Sequence, residues 1–141
     1  MTNGKTTYAW LMLTLFGVVL SGMGLYFIFL RPALLPEDPR YIGAPLAEIR
    51  AAAPGLENWL QKVFWVMGGY IAATGALFVH LAATAFRRRE RGAVGVALLA
   101  GAISIGLMAA VNFIIASDFR WLLFSFAVLW LLSLMSYSVK R

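Results

Sequence analysis

Four long apolar runs alternate with short polar segments along the chain. The runs cover residues 8–30, 63–86, 93–116 and 121–137, and none contains Asp, Glu, Lys or Arg. A helix of about 20 apolar residues crosses a hydrocarbon core about 30 Å thick. The fourth run is at the lower limit of length, so we extend it to residues 119–138. The pattern predicts an all-α membrane protein built as a four-transmembrane-helix bundle.

The composition supports the same fold class. Of 141 residues, 62% are hydrophobic and 13% are charged, whereas soluble domains average about 45–50% apolar and 25% charged residues. A soluble domain of this length cannot bury so much apolar surface. Since spanning helices satisfy their own backbone hydrogen bonds, we expect one transmembrane domain over residues 1–141.

The turn between the second and third runs determines the predicted orientation. It carries Arg87, Arg88, Arg89 and Arg91, and short basic loops stay on the cytoplasmic side of a membrane. With this turn and both termini inside, the whole formal net charge of +6 falls on the inner side. We therefore predict a bacterial inner-membrane protein with N-in/C-in topology. The basic excess is a topology signal, so the expected partner is the lipid bilayer and not nucleic acid.

All five prolines lie between the first and second runs, where they prevent a long helix. Glu37, Asp38 and Arg40 belong to a predicted rigid turn whose carboxylates cap a following helix or pair with Arg40. Apolar and charged positions within residues 45–54 predict a short interfacial helix at the outer membrane surface. This Pro-rich outer segment is either a connector across the helix tops or a lid or docking face.

Small residues recur on one face of the first predicted helix. Thr14, Gly17, Ser21 and Gly24 are spaced by three, four and three residues. Small side chains let helix backbones approach each other closely in lipid. The stripe predicts packing within the molecule, with a homodimer face as the alternative.

The single histidine, His80, lies on a second stripe of small residues, with Gly69, Ala73, Ala76 and Ala83. Three interpretations are open: a hydrogen bond to another helix, a proton-handling role, or ligation of a cofactor such as haem or a chlorin. The chain has no cysteine and no second histidine, which argues against a metal cluster.

The last two predicted helices differ in character. The third carries Ala102, Gly106 and Ala110 at four-residue spacing, which predicts another close-packing face. Its Asn112 is expected to seek a partner helix, in a contact that contributes about 1 kcal/mol. The fourth helix is bulky almost all round and includes Trp130, which suits a lipid-facing rim or a surface that docks another membrane protein.

The order of the segments carries a family resemblance. One helix, an outer segment of about thirty residues and three helices joined by tight turns follow each other, and the first helix ends with Gly24-Leu25-Tyr26 and then Arg31-Pro32. This layout resembles the DoxX-like group of small four-helix bacterial inner-membrane proteins. The resemblance implies the fold and no particular catalytic residues.

Function is predicted from what the pattern contains and lacks. The sequence shows no nucleophile–base pair or phosphate-binding loop, so we predict a non-enzymatic accessory or assembly subunit of a larger inner-membrane complex. Its partners would be other membrane subunits or further copies of the chain. One alternative is a pigment, haem or quinone-binding protein that uses His80. Another is a small transporter or membrane enzyme with an outer-face site near Glu37, Asp38 and Arg40.

Overall fold

Helices make up most of the part of the chain that the structure describes. The computed structural model describes residues 4–138, with side chains from residue 8 to residue 137. In chain order the helices are α1 (Gly4–Phe29), α2 (Asp38–Ile42), α3 (Leu46–Ala52), α4 (Leu56–Leu81), α5 (Ala93–Gly101), α6 (Leu107–Ile114) and α7 (Arg120–Ser138). Lys140 and Arg141, which contribute to the predicted inner charge, lie outside the described residues, as does the side chain of Lys5.

Within residues 4–138, four helical stretches are long and apolar enough to span a membrane, which confirms the predicted number of long apolar helices. They are Tyr8–Phe29, Leu56–Phe86, Ala93–Ile114 and Arg120–Tyr137. Two contain π-helical segments: α4 continues through Ala82–Phe86, and Ala102–Gly106 joins α5 to α6. The second stretch begins at Leu56, whereas the predicted run begins at residue 63. The prediction counted only uncharged residues, but the helix also includes Glu57 and Lys62 in its first turns.

The two ends of the bundle carry different connections. We call the end with the turn after Phe86 the arginine-rich end, and the end with residues 31–55 the proline-rich end. At the arginine-rich end the Arg87 guanidinium lies 4.6 Å from the ring centre of Trp10, and that of Arg89 lies 4.7 Å from Tyr137. An arginine over an aromatic ring is a favourable contact. These two contacts therefore join the arginine-rich turn to α1 and α7.

α1 lies in the middle of the bundle, against both α4 and α7. Its Gly17 and Gly24 face Gly75 and Gly68 of the antiparallel α4, seven residues apart on each helix. A Cβ at Gly17 would lie 2.8 Å from the carbonyl oxygen of Gly75. Between the two glycine pairs, the Ser21 hydroxyl donates to the Ala72 carbonyl at 3.4 Å. The small face of α1 thus packs within the molecule.

The packing faces of the second and third spans lie one position from the predicted stripes. Gly69, Ala73, Ala76 and Ala83 are exposed, as are Ala102 and Ala110. The buried residues are Gly68, Ile71, Gly75, Phe78, Ala82 and Phe86 in the second span, and Ala93, Ala97, Gly101, Ile105 and Ala109 in the third. Both helices carry two neighbouring small stripes, and the buried stripe is the one whose glycines meet a backbone or a large ring.

The expectation that Trp130 faces lipid or a partner protein is wrong. Trp130 is only 5% exposed and packs against α5. Its indole Nε1–H donates to the carbonyl of Ala97 at 2.9 Å. A Cβ at Gly101 would collide with the indole ring, so the missing side chain there makes room for the tryptophan. α7 therefore has one buried face, to which Trp130 belongs, whereas Trp121 of the same helix is 64% exposed.

Candidate functional site

A large groove separates α4 from α6 toward the proline-rich end of the bundle. Its volume is about 1410 Å³, above the roughly 300–1,000 Å³ of ordinary small-molecule pockets. α4 approaches the third span at α5, near the arginine-rich end. Side chains of α1 and α7, such as Met23 and Phe126, form the back of the groove. The groove is therefore a wedge that widens away from the arginine-rich end.

The groove walls are exposed within the apolar stretches of the helices. Val66 and Tyr70 on α4 are 62% and 74% exposed, and Ile103 and Leu107 on the facing wall are 66% and 58% exposed. All four line the groove and lie inside stretches apolar enough to cross a membrane. The opening is therefore on the side of the bundle, where a bilayer would supply hydrocarbon chains.

The polar side chains along the middle of the groove are already hydrogen-bonded within their own helices. Thr74 donates to the Tyr70 carbonyl at 2.7 Å, and Ser104 donates to the Ala100 carbonyl at 2.6 Å. Asn112, predicted to seek another helix, instead donates to the Met108 carbonyl of its own helix at 2.9 Å. With these donors engaged, the middle of the groove suits an apolar chain.

Glu37 ties the roof of the groove to the turn between α6 and α7. Its Oε1 accepts from the Ser117 hydroxyl at 2.7 Å, and its Oε2 accepts from the backbone N–H of Asp118 at 2.9 Å. Glu37 and Ser117 are both buried. Since leaving buried donors unpaired costs about 1–3 kcal/mol, this carboxylate fixes the proline-rich segment across the top of the groove.

The other two residues predicted around this turn have separate partners. Asp38 accepts from the backbone N–H of Leu35 at 2.7 Å, which closes a local turn. Arg40 pairs with Asp118 at 2.7 Å instead of with a neighbouring carboxylate. Glu37, Asp38 and Arg40 thus hold the segment in place. Glu37 and Arg40 both contact Asp118, and all three residues line a small cavity of about 320 Å³ beside it.

The pair of Arg40 and Asp118 has a small, pH-dependent effect. The hydrogen bond from Arg40 holds the pKa of the Asp118 carboxyl below its ordinary value of 3.8. The stabilisation is therefore present above that ordinary value and is lost as the pH falls through the lower pKa of the folded state. Both side chains are 65% exposed, so salt screens the interaction.

Arg31 lies at the proline-rich mouth of the groove, directly after the first span. Its guanidinium carbon is 3.5 Å from the ring centre of Phe64 and 5.3 Å from that of Phe27. Its Nη1 donates to the Pro32 carbonyl at 2.9 Å. Burial lowers the pKa of Arg31, and the nearby carboxylates oppose that effect. Within the described side chains Arg31 has no ion-pair partner, which leaves a partly desolvated cation beside an apolar space.

His80 lies outside this groove. It is exposed on the outer face of α4, with the alanines of the predicted stripe. Its backbone carbonyl accepts from the Thr84 hydroxyl at 2.6 Å. The predicted hydrogen bond from the imidazole to another helix is absent among the described side chains, because this face of α4 points away from α1. Cofactor ligation by His80 stays a prediction.

Sequence reasoning missed both the groove and Arg31. The groove is formed by four helices and a connecting segment, and no single helix has an unusual pattern that marks it. The sequence predicts Arg31 only as a helix end, because the ring closest to its guanidinium belongs to Phe64 of α4, far away in the sequence.

Comparisons with protein-family models, with curated proteins and with solved structures find no match for this chain. The resemblance to the DoxX-like group therefore stays a prediction. Function is inferred from the groove, its roof and the cation at its mouth.

Proposed function

We propose that this chain is a multi-pass membrane protein that takes a lipid-like amphiphile from the bilayer into the groove between α4 and α6. The observation that supports it is an apolar groove of about 1410 Å³ with exposed walls in the spanning helices. A molecule diffusing in the membrane reaches such an opening without passing through water. Its chain would pack along the apolar walls, and its polar end would lie under the proline-rich roof.

The walls suit flexible chains better than a partner helix. Interfaces between membrane helices are enriched in small residues that allow close approach. Here the exposed wall positions are Val66, Tyr70, Ile103 and Leu107, which are bulky. The role of accessory subunit stays a prediction, and burial of Trp130 removes one residue on which docking through α7 relied.

The groove is tested by filling it. We expect Val111→Trp to reduce the amount of co-purified amphiphile about tenfold, equivalent to about 1.4 kcal/mol of binding free energy. Val111 lines the groove and is 42% exposed, so a larger side chain occupies groove space without entering the core. The measurement is native mass spectrometry of protein purified in mild detergent.

The matched control is Val96→Trp, at an exposed position of α5 outside the groove. This variant should retain the amphiphile at the wild-type level. A wild-type protein that carries no such molecule, or equal loss in both variants, would contradict the proposal. A stoichiometric protein companion would instead favour the accessory-subunit function, and a visible absorption band lost in His80→Ala would favour a cofactor on α4.

The same proposal includes a bacterial inner-membrane location with the arginine-rich end inside. The excess of arginine in the turn after Phe86 supports this orientation. The chain has no cysteine, so single cysteines report topology directly. In intact cells we expect Tyr41→Cys to react with a membrane-impermeant thiol reagent and Glu90→Cys to be protected. Labelling of position 90 alone would reverse the orientation.

A further inference from the structure

Two cations, Arg31 and Lys62, and two carboxylates, Glu37 and Asp38, line the mouth of the groove. The cations are freer to bind a ligand than the carboxylates are. Glu37 uses both carboxylate oxygens on Ser117 and Asp118. Asp38 uses one oxygen on the backbone of Leu35. The ammonium of Lys62 lies 3.7 Å from the ring centre of Trp65. The cations therefore contact mainly aromatic rings, while the carboxylates are occupied by hydrogen-bond donors.

The depth of Arg31 matches the level of lipid headgroups. The first apolar stretch ends at Phe29, two residues before Arg31. Such a stretch spans the hydrocarbon core, and the polar headgroup region begins directly beyond it. A guanidinium at this level, next to a groove that accepts chains, meets the phosphate of a lipid whose tails enter the groove.

We propose that Arg31 binds the phosphate of a membrane phospholipid whose acyl chains occupy the groove between α4 and α6. This inference rests on the proposed function and names the class of its ligand. The planar guanidinium offers paired N–H donors that match phosphate oxygens, and charge-assisted bonds of this kind are about twice as strong as neutral ones. Stacking on Phe64 holds that plane while part of its hydrogen-bonding capacity stays open. Lys62, which also lines the mouth, adds a second positive charge.

A pair of lipids that differ only in the headgroup tests the inference. The probes are phosphatidylglycerol and diacylglycerol with identical acyl chains, added to delipidated protein in detergent and counted by native mass spectrometry. We expect the wild-type protein to bind phosphatidylglycerol about tenfold more tightly, as one charge-assisted contact would give. Arg31→Gln should lose most of this preference, and the remainder should come from Lys62. Inorganic phosphate at millimolar concentration should displace neither, because the chains contribute to binding.

The control is Arg50→Gln, which removes an exposed arginine that pairs with Glu57 away from the groove. It should keep the wild-type preference. Equal binding of the two lipids to the wild type, or an unchanged preference in Arg31→Gln, overturns the role of Arg31 and leaves the groove proposal standing. Failure of the wild type to bind either lipid overturns both. Should Arg31→Gln not fold, the comparison of the two lipids on the wild type decides alone.

Discussion

Replacing Gly68 by alanine should destabilise the bundle, although alanine is the better helix former. A Cβ at this position would lie 2.7 Å from the carbonyl oxygen of Gly24 and 2.8 Å from Cγ1 of Ile28. Neither atom can move freely, because one belongs to the α1 backbone and the other to a side chain on the same face. Overpacking of a filled interior costs about 1–3 kcal/mol. We expect a loss of that size in the free energy of unfolding, measured in detergent.

The adjacent Gly69 supplies the control for this change. A Cβ there would have no neighbour within 4 Å. Gly69→Ala should therefore not destabilise the bundle and should raise the free energy of unfolding by up to about 1 kcal/mol, since alanine is the better helix former. The predicted small stripe contained Gly69 and not Gly68, so the two variants also decide which face of α4 packs on α1. Equal melting of both variants would mean that the helices are not in close contact at Gly68.

The number and type of spanning elements followed directly from the sequence. Long runs without charge leave few alternatives to membrane helices, since each apolar run must be buried in lipid or protein. The predicted start of the second span, residue 63, differs from the observed start at Leu56. Glu57 and Lys62 interrupt the apolar run but not the helix, because a helix continues through charged residues once it leaves the apolar layer.

The rotation of each helix was harder to predict than its existence. In the second and third spans, small residues occur at two neighbouring stripes, and a shift of one position rotates a helix by about 100°, given 3.6 residues per turn. What selects the buried stripe is a partner distant in sequence: Gly24 for Gly68, and Trp130 for Gly101. A sequence pattern within one helix contains no information about that partner.

The candidate site was not predictable for the same reason. The sequence predicts that Glu37 caps a following helix or pairs with Arg40, but its partners are Ser117 and Asp118, about eighty residues away. The groove exists because α4 and α6 separate at one end while contacts near Trp10 and Tyr137 hold the other end together. Such differences in spacing along a bundle depend on side-chain volumes across several helices at once.

Removal of the Trp130 side chain should strongly destabilise the bundle. The residue is 5% exposed, and its indole N–H is bonded to the Ala97 carbonyl at 2.9 Å. Truncating a buried tryptophan to alanine costs about 3–5 kcal/mol through the cavity that it leaves. We expect Trp130→Ala to lower the free energy of unfolding in detergent by this amount. The exposed Trp59 is the control, and Trp59→Ala should change the free energy of unfolding by about 0.5 kcal/mol or less.

A second substitution separates loss of packing from loss of a docking surface. In the wild type, Gly101→Leu should be strongly destabilising, because any side chain there collides with the indole of Trp130. In the Trp130→Ala background the same leucine enters the vacated space, so the double variant should be more stable than the sum of the single changes predicts. Contacting residues typically show coupling of about 0.5–3 kcal/mol in such cycles. Additive effects, or a Trp130→Ala protein that melts like the wild type, would mean that the tryptophan does not pack on α5 and would restore it as a residue available to a partner protein.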